Sequence, residues 1–431
     1  MQGRLNSFQK TMLEWDEMHP YNAVHVARVP GVLEAQRLQA SLSAALERAG
    51  LTRLVLDSWQ CVYAYQDGPA ACEVKILADE PEADLALCAE VEWQINTPFV
   101  PTPGFTPFRF FAMPATDSFF LGLAYFHPVA DAEAIVHLLR TLVRDYLRPN
   151  HSALAKLDRY PSHQAHLLLR YPGVVARKLF AFAGQLRRLR QSHRPRYREP
   201  QNLHNGFSFF SMPRERLCSL VAAAKDWDVT VNDLLLALLL QSVAPLTGQR
   251  LRAKKRRQIS VGCIVNLRKE LGMDRARGFG LFLGSFIVTH PVLEGMNLRE
   301  LAGDIRQQTR AIKQHRLYLA TPVELALGRF VLRFFSPARR KKFYQKNYPL
   351  WGGLTNMNLN SLWEPSTEEG PIDYFRAVST GPATPLVFSV TTVGDHANVG
   401  LSYRTTVFSA EDIECVQRHF RQQLEQLREP T

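Results

Sequence analysis

The chain has 431 residues, 46% hydrophobic and 21% charged, with a formal net charge of +12. That is the composition of a folded globular protein rather than a disordered one, and the length exceeds one ordinary core, so about two domains are expected. No run of about 18 uncharged apolar residues is present, so no transmembrane helix is expected; the opening MQGRLNSFQKTMLEWDEMHPYN is too polar and acidic for a signal peptide, which points to the cytoplasm.

In chain order, the alternation in YNAVHVARV predicts a strand. LEAQRLQASLSAALERAG has helical spacing and closes at Gly50, a residue suited to a C-cap. ADLALCAEVEWQIN predicts a second helix, and PFRFFAMPATDSFFLGLAYFH a strand hairpin turning near Ala115, Thr116 and Asp117. From about Pro149 to Leu203 the chain is rich in Arg, His and Pro. Within it GVVARKLFAFAGQLRRLRQSHRPRYREP predicts a basic amphipathic helix followed by a Pro/Arg tail. Beyond it, NGFSFFSMPRERLCSLVAAAKDWDVTVNDLLLALLLQSVAPL predicts a strand and two helices. The second opens at Thr230 to Asp233 and is apolar on nearly every face from Leu234 to Leu240, as a buried helix is. RQISVGCIVNLR and LFLGSFIVTHP predict strands, LVFSVTTVGDHANVGLSYRTTVFS a hairpin turning at Gly394, Asp395 and His396, and AEDIECVQRHFRQQLEQLRE a closing amphipathic helix. The six cysteines, Cys61, Cys72, Cys88, Cys218, Cys263 and Cys415, form no CxxC or metal-ligand spacing and are expected to be thiols.

The stretch AYFHPVADAEAIVHLLRTLVRDY, Ala124 to Tyr146, joins a predicted strand to a predicted helix. His127 stands at the strand end and Asp131 four residues later, where a helix with Ile135, Leu138, Leu139 and Leu142 on one face begins. Neutral imidazole is a suitable general base near pH 7. Asp is also among the favoured N-cap residues, so a purely structural corner is the competing reading.

HPVADA resembles the HxxxD motif of the CoA-dependent acyltransferase superfamily, which includes chloramphenicol acetyltransferase, plant BAHD enzymes, nonribosomal peptide condensation domains and polyketide-associated acyltransferases. The order strand, HxxxD, amphipathic helix, basic crossover, TVNDLLLALLL, VGCIVNLRKELG and the closing LSYRTTVFSAEDIECVQRHFRQQLEQL is similar over nearly the whole chain. The resemblance implies an α/β fold with mixed sheets: two chloramphenicol-acetyltransferase-like lobes as a pseudo-dimer with a central tunnel. Residues 1–150 would form the first lobe, 151–203 a basic helical crossover and 204–431 the second lobe. It implies an acyltransferase taking an acyl group from a CoA or carrier-protein thioester to a hydroxyl or amine, with no bound cofactor, in lipid or secondary-metabolite biosynthesis. The alternative is a catalytically inactive condensation-like module that binds a carrier protein or lipid. His127 would be the general base and Asp131 a structural carboxylate paired with an arginine; Arg53, Arg109 and Arg268 are the candidates. Asn266, Arg268, Thr355 and Asn356 would contact substrate; Ser389 and Thr391 fit ordinary strand preference as well as a site. Two positions depart from the family pattern: Phe126 replaces the first histidine of peptide condensation domains, and Ala132 the usual glycine, which would be strained if φ were positive there.

Three basic stretches, RKLFAFAGQLRRLRQSHRPRYR, QRLRAKKRRQ and GRFVLRFFSPARRKKFYQKNYPLW, account for much of the charge. The first and third interleave apolar residues and suit peripheral contact with an anionic membrane at its inner face, or attraction of CoA phosphates or an acidic carrier protein. The second predicts an exposed loop. No recognition helix, RNP box or zinc module is present, so no nucleic-acid partner is expected.

Overall fold

The computed structural model describes residues 2–57, 60–69, 73–79, 82–148, 167, 170–248, 250–273, 278–365 and 370–427. The first lobe runs β1 (Gln2–Arg4), α1 (Ser7–Asp16), β2 (Asn22–Pro30), α2 (Ala35–Ala49), β3 (Arg53–Asp57), β4 (Val62–Gln66), β5 (Val74–Ile76), α3 (Ala83–Asn96), β6 (Phe108–Ala115), β7 (Ser118–Phe126) and α4 (Ala132–Leu147). Gly50 sits at φ 65° and closes α2, the left-handed conformation a residue without Cβ adopts at least cost. The run SFFLGLAYF is buried at every position, because β7 lies inside a sheet covered on both faces. A Cβ on Gly122 would lie 2.0 Å from the Phe111 ring, so glycine is what lets β6 and β7 pack there. The stripe Ile135, Leu138, Leu139 and Leu142 joins the first-lobe core as its spacing requires.

The crossover contributes α5 (Gly173–Gln191); its expected first part, 151–166, lies outside the described residues. The chain continues through β8 (Asn205–Met212), α6 (Arg214–Asp226), α7 (Val231–Val243), β9 (Ile259–Asn266), β10 (Leu283–His290), α8 (Leu298–Gln314), α9 (Thr321–Leu332), α10 (Pro337–Asn347), β11 (Leu350–Asn358), β12 (Asp373–Val378), β13 (Leu386–Val393), β14 (His396–Arg404) and α11 (Ala410–Glu425). Thr230 and Asp233 form a reciprocal capping box on α7, and Leu234 to Leu240 are all buried in the second-lobe core. No single described helix is long and apolar enough to cross a membrane.

A six-stranded sheet, β10-β9-β11-β13-β14-β8, forms the second lobe; a five-stranded sheet, β12-β2-β7-β6-β5, and a small one, β1-β4-β3, form the first. β12 leaves the second half of the chain and pairs antiparallel with β2, with Arg376 opposite His25. Its other flank meets β14 so closely that a Cβ on Gly400 would lie 2.2 Å from the carbonyl oxygen of Arg376. This strand ties the two sheets together.

Candidate active site

The tight gap between β7 and α4 makes a single 3₁₀ turn, His127–Val129. His127 is 8% exposed. Its ring lies parallel to that of Tyr21, 5.5 Å between centroids, with the Tyr125 ring edge-on at 5.6 Å. Nδ1 lies 3.1 Å from the Ala130 carbonyl oxygen, which only an N–H can satisfy, so Nδ1 carries the proton and Nε2 keeps its lone pair. Burial pulls the imidazole pKa below its ordinary 6.5, while the Ala130 bond and the Asp131 charge act the other way. The result is a neutral ring with a basic Nε2.

Asp131 does not touch that ring. Its Oδ1 accepts from Ala134 N–H at 3.1 Å as the N-cap of α4. Oδ2 accepts from Arg268 Nη1 at 2.5 Å and from Phe282 N–H at 3.0 Å, and its own N–H donates to the Gly280 carbonyl at 2.8 Å. Arg268 also donates to the Gly278 carbonyl at 3.1 Å and stacks over the Phe282 ring. Both partners of this ion pair are about 2% exposed, and it joins the first lobe to the second beneath the histidine turn. The N-cap and ion-pair readings of Asp131 therefore both hold, on different oxygens.

Of the three candidate arginines, only Arg268 reaches Asp131. Arg109 is held by Gln94, Thr97 and Pro98, and Arg53 is an exposed residue at the start of β3. Phe126 is buried in the first-lobe core against Phe99 and Phe105 and does not face His127. Ala132 opens α4 with no positive φ, so the strain a missing glycine would cause does not arise.

A cavity of about 290 Å³ lies between the lobes, with His127 and Ala132 in its wall. The rest is mostly apolar: Phe8, Met12 and Trp15 of α1, Leu283 and Phe286 of β10, Leu325 and Leu332 of α9, and Phe343 and Tyr344 of α10. Of the residues expected to contact substrate, Thr355 lines the cavity and Asn266, Arg268 and Asn356 do not. Asn266 donates to Glu133 and accepts from the Arg268 N–H; Asn356 is exposed and bonds Asn232. Ser389 lines the cavity, whereas Thr391 accepts from Arg376. Cys263 also lines it, but burial pushes its thiol up to about 12, which excludes a thiolate nucleophile.

His25 and Arg376 are cavity residues that sequence patterning does not single out. His25 lies 2.6 Å from the Tyr374 hydroxyl, and burial, Arg376 and His127 hold its pKa well below 6.5. Its one sequence signal is a polar residue flanked by apolar ones on a buried strand. Among the described residues no group of three His, Cys, Asp or Glu is placed to hold a metal ion.

Two sheet-containing lobes around such a cavity, with a histidine at a strand end on its wall, define the condensation-domain fold of the CoA-dependent acyltransferase superfamily. The chain matches the condensation-domain family over residues 1–431 and belongs to it. Among solved structures, it is similar to the first condensation domain of the calcium-dependent antibiotic synthetase, solved with a substrate analogue: TM-score 0.72, 17% identity, covering 99% of this chain and 97% of that one. It is also similar to the EpoB cyclization-docking bidomain of Sorangium cellulosum, TM-score 0.71, 13% identity, covering 100% and 86%. The X-domain from teicoplanin biosynthesis aligns with TM-score 0.64 at 17% identity, covering 98% and 94%. No curated protein matches the sequence.

Proposed function

We propose that the protein is an acyltransferase that moves an acyl group from a CoA or carrier-protein thioester to a hydroxyl or amine. The observation that carries this reading is the His127 ring: its tautomer is fixed by Ala130, its pKa is lowered, and it stands in the wall of an apolar cavity. In the reaction the acceptor oxygen or nitrogen attacks the thioester carbonyl carbon as Nε2 takes the acceptor proton. The tetrahedral adduct collapses, the C–S bond breaks, and the leaving thiolate takes the proton from the imidazolium. The Ala130 carbonyl, an acceptor for Nδ1–H throughout, favours the charged ring as it forms. Asp131 and Arg268 fix the turn that places the ring. The alternative, a module without catalysis that binds a carrier protein or lipid, is separated from this reading by the assay below.

The test is acceptor-dependent release of thiol from acyl-CoAs or acyl-carrier thioesters. An acyltransferase releases thiol faster when a hydroxyl or amine acceptor is added, with a matching ester or amide product. Release that no acceptor accelerates contradicts the proposal.

A membrane-facing surface is proposed on separate grounds. α9 turns Leu325, Gly328 and Leu332 to the cavity, while Leu327, Phe330, Val331 and the neighbouring Phe334 are exposed, with Arg333, Arg339 and Lys346 also exposed beside them. An anionic membrane surface matches this combination of apolar and basic side chains.

A further inference from the structure

Among the described residues three cationic side chains other than histidine line the cavity. Lys178 pairs with Glu324 at 3.1 Å and Arg329 with Glu14 at 2.8 Å. Arg376 on β12 is 3% exposed and has no carboxylate within ion-pair distance among the described residues. Its partners are neutral: Nε donates to Thr391 Oγ1 at 2.8 Å, and Nη2 to the Val390 carbonyl at 2.8 Å and the Thr355 carbonyl at 3.4 Å. Those groups belong to β11 and β13, so the side chain reaches from the edge of one sheet onto the other at the cavity floor. Nη1 makes no hydrogen bond to the described residues and is not sealed from solvent, and Arg376 lines the cavity.

Burying a cation without a counter-ion is costly. Burial draws the Arg376 pKa down to about 10, which still leaves the group charged at neutral pH. A surface arginine has solvent to offset its charge, whereas this one has three neutral acceptors. Beside it, Thr355 and Ser389, register partners on β11 and β13, also line the cavity.

We propose that Arg376 is a binding site for a carboxylate, and that the acyl acceptor is therefore an acid, with its free carboxylate on Nη1 and its hydroxyl or amine toward His127. The role of the acceptor rests on the acyltransferase reading, but the carboxylate site does not. A guanidinium forms strong charge-assisted bonds to carboxylate oxygens, and an apolar cavity with a single unpaired cation orients such a molecule by its one charged end. Arg376 is a binding residue here, distinct from the base.

The test is equilibrium binding, which needs no catalysis. Octanoate and octanamide, equal in size and differing in charge, are titrated into the full chain, with inorganic phosphate as a third probe. The expected result is saturable binding of octanoate at least about 10-fold tighter than octanamide. Arg376→Met should lose about 10- to 100-fold of octanoate affinity while octanamide changes little; Arg376→Lys should recover part of the loss. His127→Ala should keep the preference, so failure of the acyltransferase reading and failure of the carboxylate site are read separately. Equal affinity for acid and amide in the wild-type protein overturns the proposal without any variant. So does phosphate that displaces octanoate at equal concentration, or the absence of saturable octanoate binding.

Discussion

Arg268→Met removes one half of the buried ion pair that links the lobes. In the structure the guanidinium bonds Asp131 at 2.5 Å and the Gly278 carbonyl at 3.1 Å, with both charged side chains about 2% exposed. After substitution the Asp131 carboxylate keeps the N–H groups of Ala134 and Phe282 but loses its charged partner. Stranding a buried charge in this way costs about 3–5 kcal/mol. Removing both charges, in Asp131→Asn/Arg268→Met, should cost less than the sum of the two single substitutions, with a coupling of about 1–3 kcal/mol. Urea unfolding followed by tryptophan fluorescence reads both values. A single-variant loss under about 1 kcal/mol, typical of an exposed pair, or strict additivity in the double variant, would refute the claim that this pair organises the site.

Three further outcomes are expected. His127 and His25 have pKa values below 6.5 in the folded protein, so the unfolded chain binds more protons as pH falls through 6.5; stability is full above that value and declines below it. The acid limb of the rate profile should likewise lie below 6.5, and a limb at or above 6.5 would contradict a buried neutral base. Gly400→Ala places a methyl group against the Arg376 backbone; it should lower stability by about 1–3 kcal/mol and weaken octanoate binding, and an unchanged protein would show that β12 is free to shift. The chain should float with anionic but not neutral vesicles at low salt, with release as salt rises, and Phe330→Ser/Phe334→Ser should reduce the effect; indifference to lipid charge would remove the membrane assignment.

Local pattern carries what local physics decides. The period of β2, the caps of α2 and α7, the β6–β7 hairpin and the HxxxD corner were all legible, because each depends on residues a few positions apart. The partner of Asp131 was not, since Arg268 lies 137 residues away and three arginines were equally plausible by sequence. α1 and α8 were not read from the sequence either, and the end of α9 with α10 only as a basic stretch suited to a surface helix, although α1, α9 and α10 supply much of the cavity wall. The helix moment of α1 is obscured by polar residues such as Gln9 and Thr11, which are buried against other elements. Arg376 looks like a polar residue in a strand until register places it opposite His25 and its side chain reaches the second sheet. Asn266 and Asn356 sit in motif-like strands, but each lies toward the strand end, beyond the positions that line the cavity, and bonds Glu133 or Asn232 instead.

His127 Nε2 is proposed as the base of an acyl transfer. The most direct measurement is the single-turnover rate of ester or amide formation by wild type and His127→Ala, each checked for an unchanged melting temperature. A loss of about 10²–10⁴-fold is expected, the usual worth of a positioned general base. Equal rates in two equally folded proteins would contradict it.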